Sequence, residues 1–384
     1  NLLIALGAAT VLLSISFYMV PALQLGRGVF LVDVTLILAL IPGWRLLVAW
    51  SAGHPQLGVR ERVLILGSGE QAIELARATL ERRQAGFHIV GFVDNKPELV
   101  GKSLINPSVI GLTADLTGLV KQYQVDRIVV AVADRRGVFP TEELLNLSLS
   151  GRIAVEESAR YYERLTGKID SEMLRPSWLI FSRGNRFSDF DYHLRRVVNT
   201  GFATIGLVLS VPLMLLTAMA VKLESRGPVF YVQERMGKKG RRFKIIKFRS
   251  MRVGAEATSG PVWAEEDDPR VTRVGRIIRK LRFDELPQFI NVLRGEMNFV
   301  GPRPERPMFV DQLNAIVPYY SQRHVVKPGL TGWAQIKYPY GASVEDAIEK
   351  LRYDLYYIKN QSLLLDAIIM FETVKIVLFG RGGR

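Results

Sequence analysis

The sequence predicts a membrane α/β protein built in three parts. Two observations carry the class. Long uncharged or nearly uncharged runs have the length a bilayer requires, and between them apolar strands alternate with amphipathic helices. A third agrees: hydrophobic residues make up 48% of 384, high for a wholly soluble chain.

The first part, residues 1–50, holds transmembrane helices. "LLIALGAATVLLSISFYMVPAL" (Leu2 to Leu23) carries no charge. "VFLVDVTLILALIPGWRLLVAW" (Val29 to Trp50) is a second span, weakened by Asp33, Pro42 and Arg45. A buried soluble hairpin would explain such runs less well than a membrane does. The chain opens at Asn1 inside an apolar run, so further residues are expected upstream.

The second part, residues 60–150, reads as a Rossmann-like parallel α/β domain. "RVLILGSGEQAIELARATL" is a strand, a glycine turn and a helix; "FHIVGFVDN" and "VDRIVVAVAD" are later strands. Strands alternating with helices imply a parallel sheet. Gly67 and Gly69 form a dinucleotide-type turn, with Ala72 in the third glycine place and Asp94 closing the next strand, where a ribose-binding acid would sit. Such a turn serves nucleotide binding or merely tight packing, and the residues leave both open. Residues 151–190 read as a connecting segment.

The third part, residues 191–384, begins with an apolar run over 197–221. Arg195 and Arg196 flank one end, Lys222 and Arg226 the other. Lys and Arg favour the cytoplasmic side. Ser210 and Pro212 lie mid-run, where proline breaks the backbone ladder and serine can satisfy a freed group. A re-entrant helix that enters, bends at Ser-Val-Pro and leaves on the same face fits both facts. A kinked spanning helix would instead put the flanking domains on opposite faces. Nine Lys/Arg and no acid then fall between Arg235 and Arg252, a stretch suited to anionic headgroups. Nucleic acid is the weaker partner there, because stacking aromatics are sparse. The C-terminal "SLLLDAIIMFETVKIVLFG" reads as an amphipathic interfacial or core-packed helix, interrupted by Asp366, Glu372 and Lys375.

The formal net charge of +14 suits anionic lipid, nucleic acid or phosphorylated substrates without choosing among them. No cysteine is present, which excludes disulfides, thiolate catalysis and Cys-ligated metals. The four histidines are scattered, against a histidine-built zinc site.

Chemistry concentrates in "RFDELPQFINVLRGEMNFVGPRPERP" (Arg282 to Pro307). Asp284, Glu285 and Pro287 read as the start of a helix running to about Arg294. A capped surface helix would explain the acid pair alone. The cations around it, Arg276, Arg279, Lys280, Arg282 and Arg303, point to phosphate and a divalent metal: arginine binds phosphoryl oxygens, and carboxylates bind Mg2+. A carboxylate can also attack phosphorus.

Three blocks carry a family resemblance: "GPVFYVQERMGKKGRRFKIIKFRSM", "DPRVTRVGRIIRKLRFDELPQFINVLRGEMNFVGPRPERP" and "KPGLTGWAQIKYPYG". From about Arg195 onward the chain resembles the bacterial sugar transferases, the monotopic phosphoglycosyltransferases that prime polysaccharide assembly. The N-terminal half resembles their large members. "GPVWAEEDDPRVTR", "YGASVEDAIEKLRYDLYYIKN" and "VLFGRGGR" look most like the exosortase-associated exopolysaccharide subgroup.

The resemblance implies a C-terminal monotopic catalytic domain. It would transfer sugar-1-phosphate from a UDP-sugar to polyprenyl (undecaprenyl) phosphate and release UMP. Asp284 would be the nucleophile and form a phosphosugar intermediate. Glu285 would be its partner, with Mg2+ on the two acids. Arg303 and Arg279 would hold phosphate, and Arg282, Gln288, Asn291, Lys247 and Arg249 would complete the substrate-binding set. The re-entrant Ser-x-Pro is also a family feature; one departure is Asn199, where many members carry Asp. The implied setting is the bacterial inner membrane, cytoplasmic face, with membrane lipids as partners, a homodimer and no nucleic acid. A nucleotide-sensing membrane regulator with an inactive transferase domain is the alternative, and the intact Asp284, Glu285 and Arg303 argue against it. The absence of a suitably placed Tyr-x-x-x-Lys argues against a Rossmann-type oxidoreductase.

Overall fold

The computed structural model describes residues 61–82, 86–132, 139–169, 189–255, 268–338, 341 and 343–378, with Thr35 and Gly43 as isolated positions. The helices expected within 1–50 lie outside the described residues.

Five strands, β1 (Glu61–Leu66), β2 (Phe87–Asp94), β3 (Val109–Leu112), β4 (Arg127–Val130) and β5 (Ala154–Glu157), form one parallel sheet in the order β3-β2-β1-β4-β5. All four strand pairs are parallel. Parallel sheets are covered on both faces, so their central strands are continuously apolar. Val63, Leu64, Ile65 and Leu66 of β1 are accordingly all buried. Helices α1 (Glu70–Glu81) and α4 (Ser158–Thr166) cover one face, packing Leu75, Tyr161 and Leu165 against Val63 and Ile65. Helices α2 (Leu116–Gln122) and α3 (Thr141–Leu149) cover the other with Leu116, Leu119 and Leu144.

The sheet does not end at residue 150. β5 pairs with β4 from Arg127↔Ala154 to Val130↔Glu157, so the segment expected to be a mere connection supplies a strand and a helix. The sequence hides β5 because it is short, ends in two glutamates and lies at the sheet edge, where charge is the common guard against further pairing.

Helix α5 (Asp189–Glu224) runs 36 residues, through Pro212. Among the described helices it alone is long and apolar enough to cross a membrane. Asn199, Ala203, Ser210, Thr217 and Val221 recur at helical spacing and are buried, whereas Val197, Phe202, Leu209, Leu216 and Leu223 on other faces are exposed. Both ends are fastened to the same body. Near the start, Arg196 Nη1 and Nη2 donate to the carbonyls of Val292 and Leu293 at 2.8 and 2.7 Å. Asn199 Oδ1 accepts from Phe299 N at 2.6 Å, so a polar anchor survives without the Asp. At the far end, Glu224 accepts from the backbone N–H groups of Arg273 and Val274. Pro212 cannot donate to the Val208 carbonyl. Ser210 donates to Leu207 O at 3.1 Å, the carbonyl one residue earlier.

The remainder packs around the second half of the chain. β6 (Phe230–Met236) and β7 (Arg242–Phe248) form an antiparallel hairpin. Then come α6 (Arg273–Lys280), α7 (Gln288–Arg294), β8 (Asn298–Val300), α8 (Pro307–Ile316), β9 (Gly329–Thr331), α9 (Trp333–Lys337), α10 (Val344–Lys359) and α11 (Leu363–Leu378). β8 and β9 pair in parallel. α11 is apolar over most of its surface, burying Ile369 and exposing Leu364, Phe371 and Val374. Helix α4 docks on α10 through Lys359–Glu163, and Trp333 Nε1 donates to Gly167 O at 2.6 Å.

Candidate functional site

The acid pair lies in a 3-10 turn that runs through Leu286 and Pro287, both right-handed helical, into the helix ending at Arg294, as the sequence predicts, but it does not cap that helix. Arg282 has a left-handed φ of 61°, Phe283–Glu285 is a single 3-10 turn, and α7 begins only after Pro287. Neither acid caps an amide; both turn inward, Asp284 at 7% exposure and Glu285 at 8%. The local helix start is present, and cations brought in from β7 and from the turn after β8 meet the acids on its inner side.

Those cations treat the two carboxylates differently. Glu285 Oε1 accepts from Arg303 Nη2 at 2.7 Å and Lys247 Nζ at 3.2 Å, and lies 3.9 Å from Arg282 Nη1. Burial alone would raise its pKa, but Arg303, then Lys247 and Arg282, outweigh it and hold the carboxyl well below the usual range. Asp284 makes no hydrogen bond or ion pair among the described residues. Burial, then the neighbouring Glu285 charge, push its carboxyl up to about 6 against Lys247, Arg279 and Arg282. One carboxylate is pinned and the other is left free to react. Widely split carboxyls of this kind mark divided chemical roles.

Arg279 reaches the same place: its Nε donates to Ser250 Oγ at 2.9 Å, and Asp284 is the carboxylate that most favours its charge. Arg303 stands in the Gly301-Pro302-Arg303-Pro304 turn with a side chain 38% exposed. The turn fits because β8 and β9 approach closely; a Cβ on Gly329 would lie 2.1 Å from Gly301 N. Gln288 is buried, and its Nε2 has no partner among the described residues.

Two residues expected in the substrate-binding set are elsewhere. Arg249 Nη2 donates to Ser225 O at 2.8 Å and Val221 O at 3.4 Å, and its Nη1 donates to Arg226 O at 3.1 Å. It donates to the last turn of α5 and to the two residues that follow it, where the helix leaves carbonyls without amide partners. Asn291, fully buried, donates to Lys244 O and Glu296 Oε2 and accepts from Ile246 N, bracketing α7 to β7. Conversely, the sequence reading passed over Arg235, Arg323 and Asp354, which surround the Arg303 turn.

The glycine turn of the sheet domain has the expected geometry. Gly67 adopts φ +116°, and a Cβ there would lie 2.8 Å from Ala131 O. Asp94 closes β2, but both of its oxygens are engaged, by Ser68 Oγ at 2.5 Å and Lys96 N at 3.1 Å.

No cluster of three or more His, Cys, Asp or Glu side chains that could hold a metal occurs among the described residues. Asp284, with no bonded partner, and the second oxygen of Glu285 still fit Mg2+ of the kind that takes one or two carboxylates and completes its shell with substrate phosphate and water.

Residues 190–380 match the bacterial sugar transferase family. The chain is 43% identical over 260 residues, 67% of its length and 60% of the relative's, to a UDP-N-acetylgalactosamine-undecaprenyl-phosphate N-acetylgalactosaminephosphotransferase of Aeromonas hydrophila. It is 34% identical over 83% of its length and 59% of the relative's to an undecaprenyl-phosphate glucose phosphotransferase of Komagataeibacter xylinus. It is 40% identical over 192 residues to the exopolysaccharide production protein PSS of Rhizobium leguminosarum bv. phaseoli, covering 48% of this chain and 94% of that one. The chain thus spans about 60% of the length of the first two relatives. It belongs to the bacterial sugar transferase family.

Proposed function

We propose that this member of the family transfers sugar-1-phosphate from a UDP-sugar to undecaprenyl phosphate at the cytoplasmic membrane face, the first step of a polysaccharide assembly. The observation that carries the reading is the split between Glu285, held by three cations, and Asp284, left unpaired beside them. A free, partly desolvated carboxylate with a raised pKa is suited to attack phosphorus. In the first step an Asp284 oxygen bonds to the β-phosphorus and the bridging oxygen departs with UMP. In the second, an oxygen of undecaprenyl phosphate attacks the same phosphorus and releases Asp284. Arg303, Arg279 and Lys247 face several substrate charges, and Glu285 keeps Arg303 and Lys247 together between turnovers. Mg2+, held by Asp284 and Glu285, would neutralise the diphosphate.

Helix α5 is read as re-entrant. Its two ends are bound to one domain, and its exposed side is apolar, which supports a helix dipping into one leaflet. Tags before Arg195 and after Glu224 that report opposite membrane faces would overturn this. The glycine turn of the sheet domain is proposed as a nucleotide site, supported only by its backbone geometry.

The sugar is sought by measuring UMP release with UDP-N-acetylgalactosamine and UDP-glucose, each with undecaprenyl phosphate and Mg2+. Acceptor-dependent release is expected with one of them, and a phosphosugar adduct on Asp284 should be visible by mass spectrometry without acceptor. Full turnover by Asp284→Asn would sink the covalent route.

A further inference from the structure

The Arg303 turn is stiff in φ but poor in donors. Pro302 and Pro304 fix their own φ and contribute no N–H. What stays free is the rotation of the peptide planes on either side of Arg303, and that rotation aims its side chain. The ladder to β9 holds only the first half of the turn: Gly301 N donates to Thr331 O at 2.9 Å, and Gly329 N donates to Pro302 O at 3.0 Å. The next two carbonyls are held by side chains instead. Arg323 Nη2 donates to Arg303 O at 3.0 Å, and Arg235 Nη1 donates to Pro304 O at 3.1 Å.

Arg323 is itself held. Its Nη2 also donates to Asp354 Oδ2 at 2.8 Å, and its Nη1 to Tyr320 Oη at 2.6 Å. The side chains of Arg323 and Asp354 are 6% and 3% exposed. They adjoin an apolar cluster that includes Tyr320, Leu351 and Leu355. Stability is a poor reason for such a pair, since two apolar residues of similar volume are often as stable. The pair does not even satisfy itself fully, for Arg323 Nε has no partner. What an apolar pair could not do is donate to the carbonyl of Arg303.

We propose that Arg323 and Asp354 are positioning residues: Arg323 grips the main-chain carbonyl of Arg303 and so sets the aim of its guanidinium, while Asp354 fixes the rotamer of Arg323. Arg235 supplies the matching grip one residue later. The proposal rests on the reading of Arg303 as a phosphate-binding residue. It predicts a specific pattern: loss of the pair weakens phosphate binding, and does so only while Arg303 is there to be misaimed.

The test is calorimetric binding of UDP to four forms of the full chain: wild type, Arg323→Met/Asp354→Leu, Arg303→Ala, and the triple variant. The apolar pair should melt within a few degrees of wild type yet bind UDP about tenfold more weakly, and a misplacement of this kind can cost turnover about a hundredfold. In the Arg303→Ala background the same two substitutions should cost nothing further. Should the apolar pair fold poorly, Arg323→Lys retains the charge but cannot bridge both carbonyl and carboxylate, and it should show the same dependence on Arg303. Wild-type affinity in the pair variants overturns the proposal. So does a loss of equal size without Arg303, because the pair would then act through something else. UMP release by wild type, assayed separately, decides the reading on which the proposal rests.

Discussion

Two turns in this chain follow a parallel strand and use glycine for close backbone approach, and they differ in what surrounds them. Gly67-Ser68-Gly69 follows β1; Gly301-Pro302-Arg303-Pro304 follows β8. Around the first, the nearby acid Asp94 is satisfied by Ser68 and the Lys96 amide. Around the second, Arg303, Lys247 and Arg282 converge on Glu285, and Asp284 beside it is left unpaired. Turn geometry is a demand of packing common to both. Charge that outlasts internal pairing separates a covalently reactive site from a turn whose nearby acid is already satisfied. The sharpest test replaces the carboxylate beside each turn by its amide. Asp284→Asn should lower UMP release by about 10⁴-fold or more, as loss of a nucleophile does. Asp94→Asn should leave release within about twofold of wild type, in line with small surface effects. Similar losses from both would erase the distinction.

Removing the phosphate-facing cation comes next. Arg303→Ala should cost about 10²-fold in kcat/KM, the loss typical of one preorganised charge donor. It should also release Glu285 from its strongest ion pair, raising that carboxyl toward ordinary values.

How much of this contrast was readable beforehand depends on how far each residue's partners lie along the chain. The glycine turn was legible because strand, glycines and helix are neighbours in sequence and each obeys a local rule. The acid pair was legible as the turn that leads into α7 but not as buried, because the cations that meet it come from β7 and the Arg303 turn. The partners that Arg249 and Asn291 take in the structure were hidden for the same reason. Both belong to the polar blocks, yet the groups they satisfy are the end of α5 and the β7 backbone, which spacing does not reveal. Arg323 and Asp354 lie 31 residues apart, and on a helical pattern each reads as solvated surface. Burial of a charge is a property of the pair, and no single position announces it. β5 was missed because an edge strand of AVEE lacks the apolar run that marks its central neighbours.

The pH dependence should follow the split pair. Asp284 must be ionised to attack, and burial together with Glu285 raises its carboxyl to about 6. Its ionised fraction therefore falls as pH drops through that value, and kcat/KM should decline about tenfold per unit below it. Glu285, shifted the other way, should contribute no limb in the same range. A cation bound at Asp284 favours the ionised form, so raising Mg2+ should move the limb to lower pH. A limb indifferent to Mg2+ would place the metal elsewhere.

The smallest effect on chemistry should come from Arg249, and it decides whether membership of a basic block implies contact with substrate. Its guanidinium closes the end of α5, donating to Val221, Ser225 and Arg226 carbonyls from a side chain inside the fold. Arg249→Met keeps much of the volume and removes every donor. The half-buried Ser225 carbonyl and the exposed Arg226 carbonyl then lose this donor, while the Val221 carbonyl keeps Ser225 N, a loss of at most about 1–3 kcal/mol. The melting temperature should fall and protease cleavage near Arg226 should quicken, while KM for the UDP-sugar stays within about twofold. A variant that melts like wild type but shows a many-fold higher KM would return Arg249 to the substrate. Basic residues of this stretch would then act as one surface, and the difference between the pinned and the reactive parts of the site would need another cause.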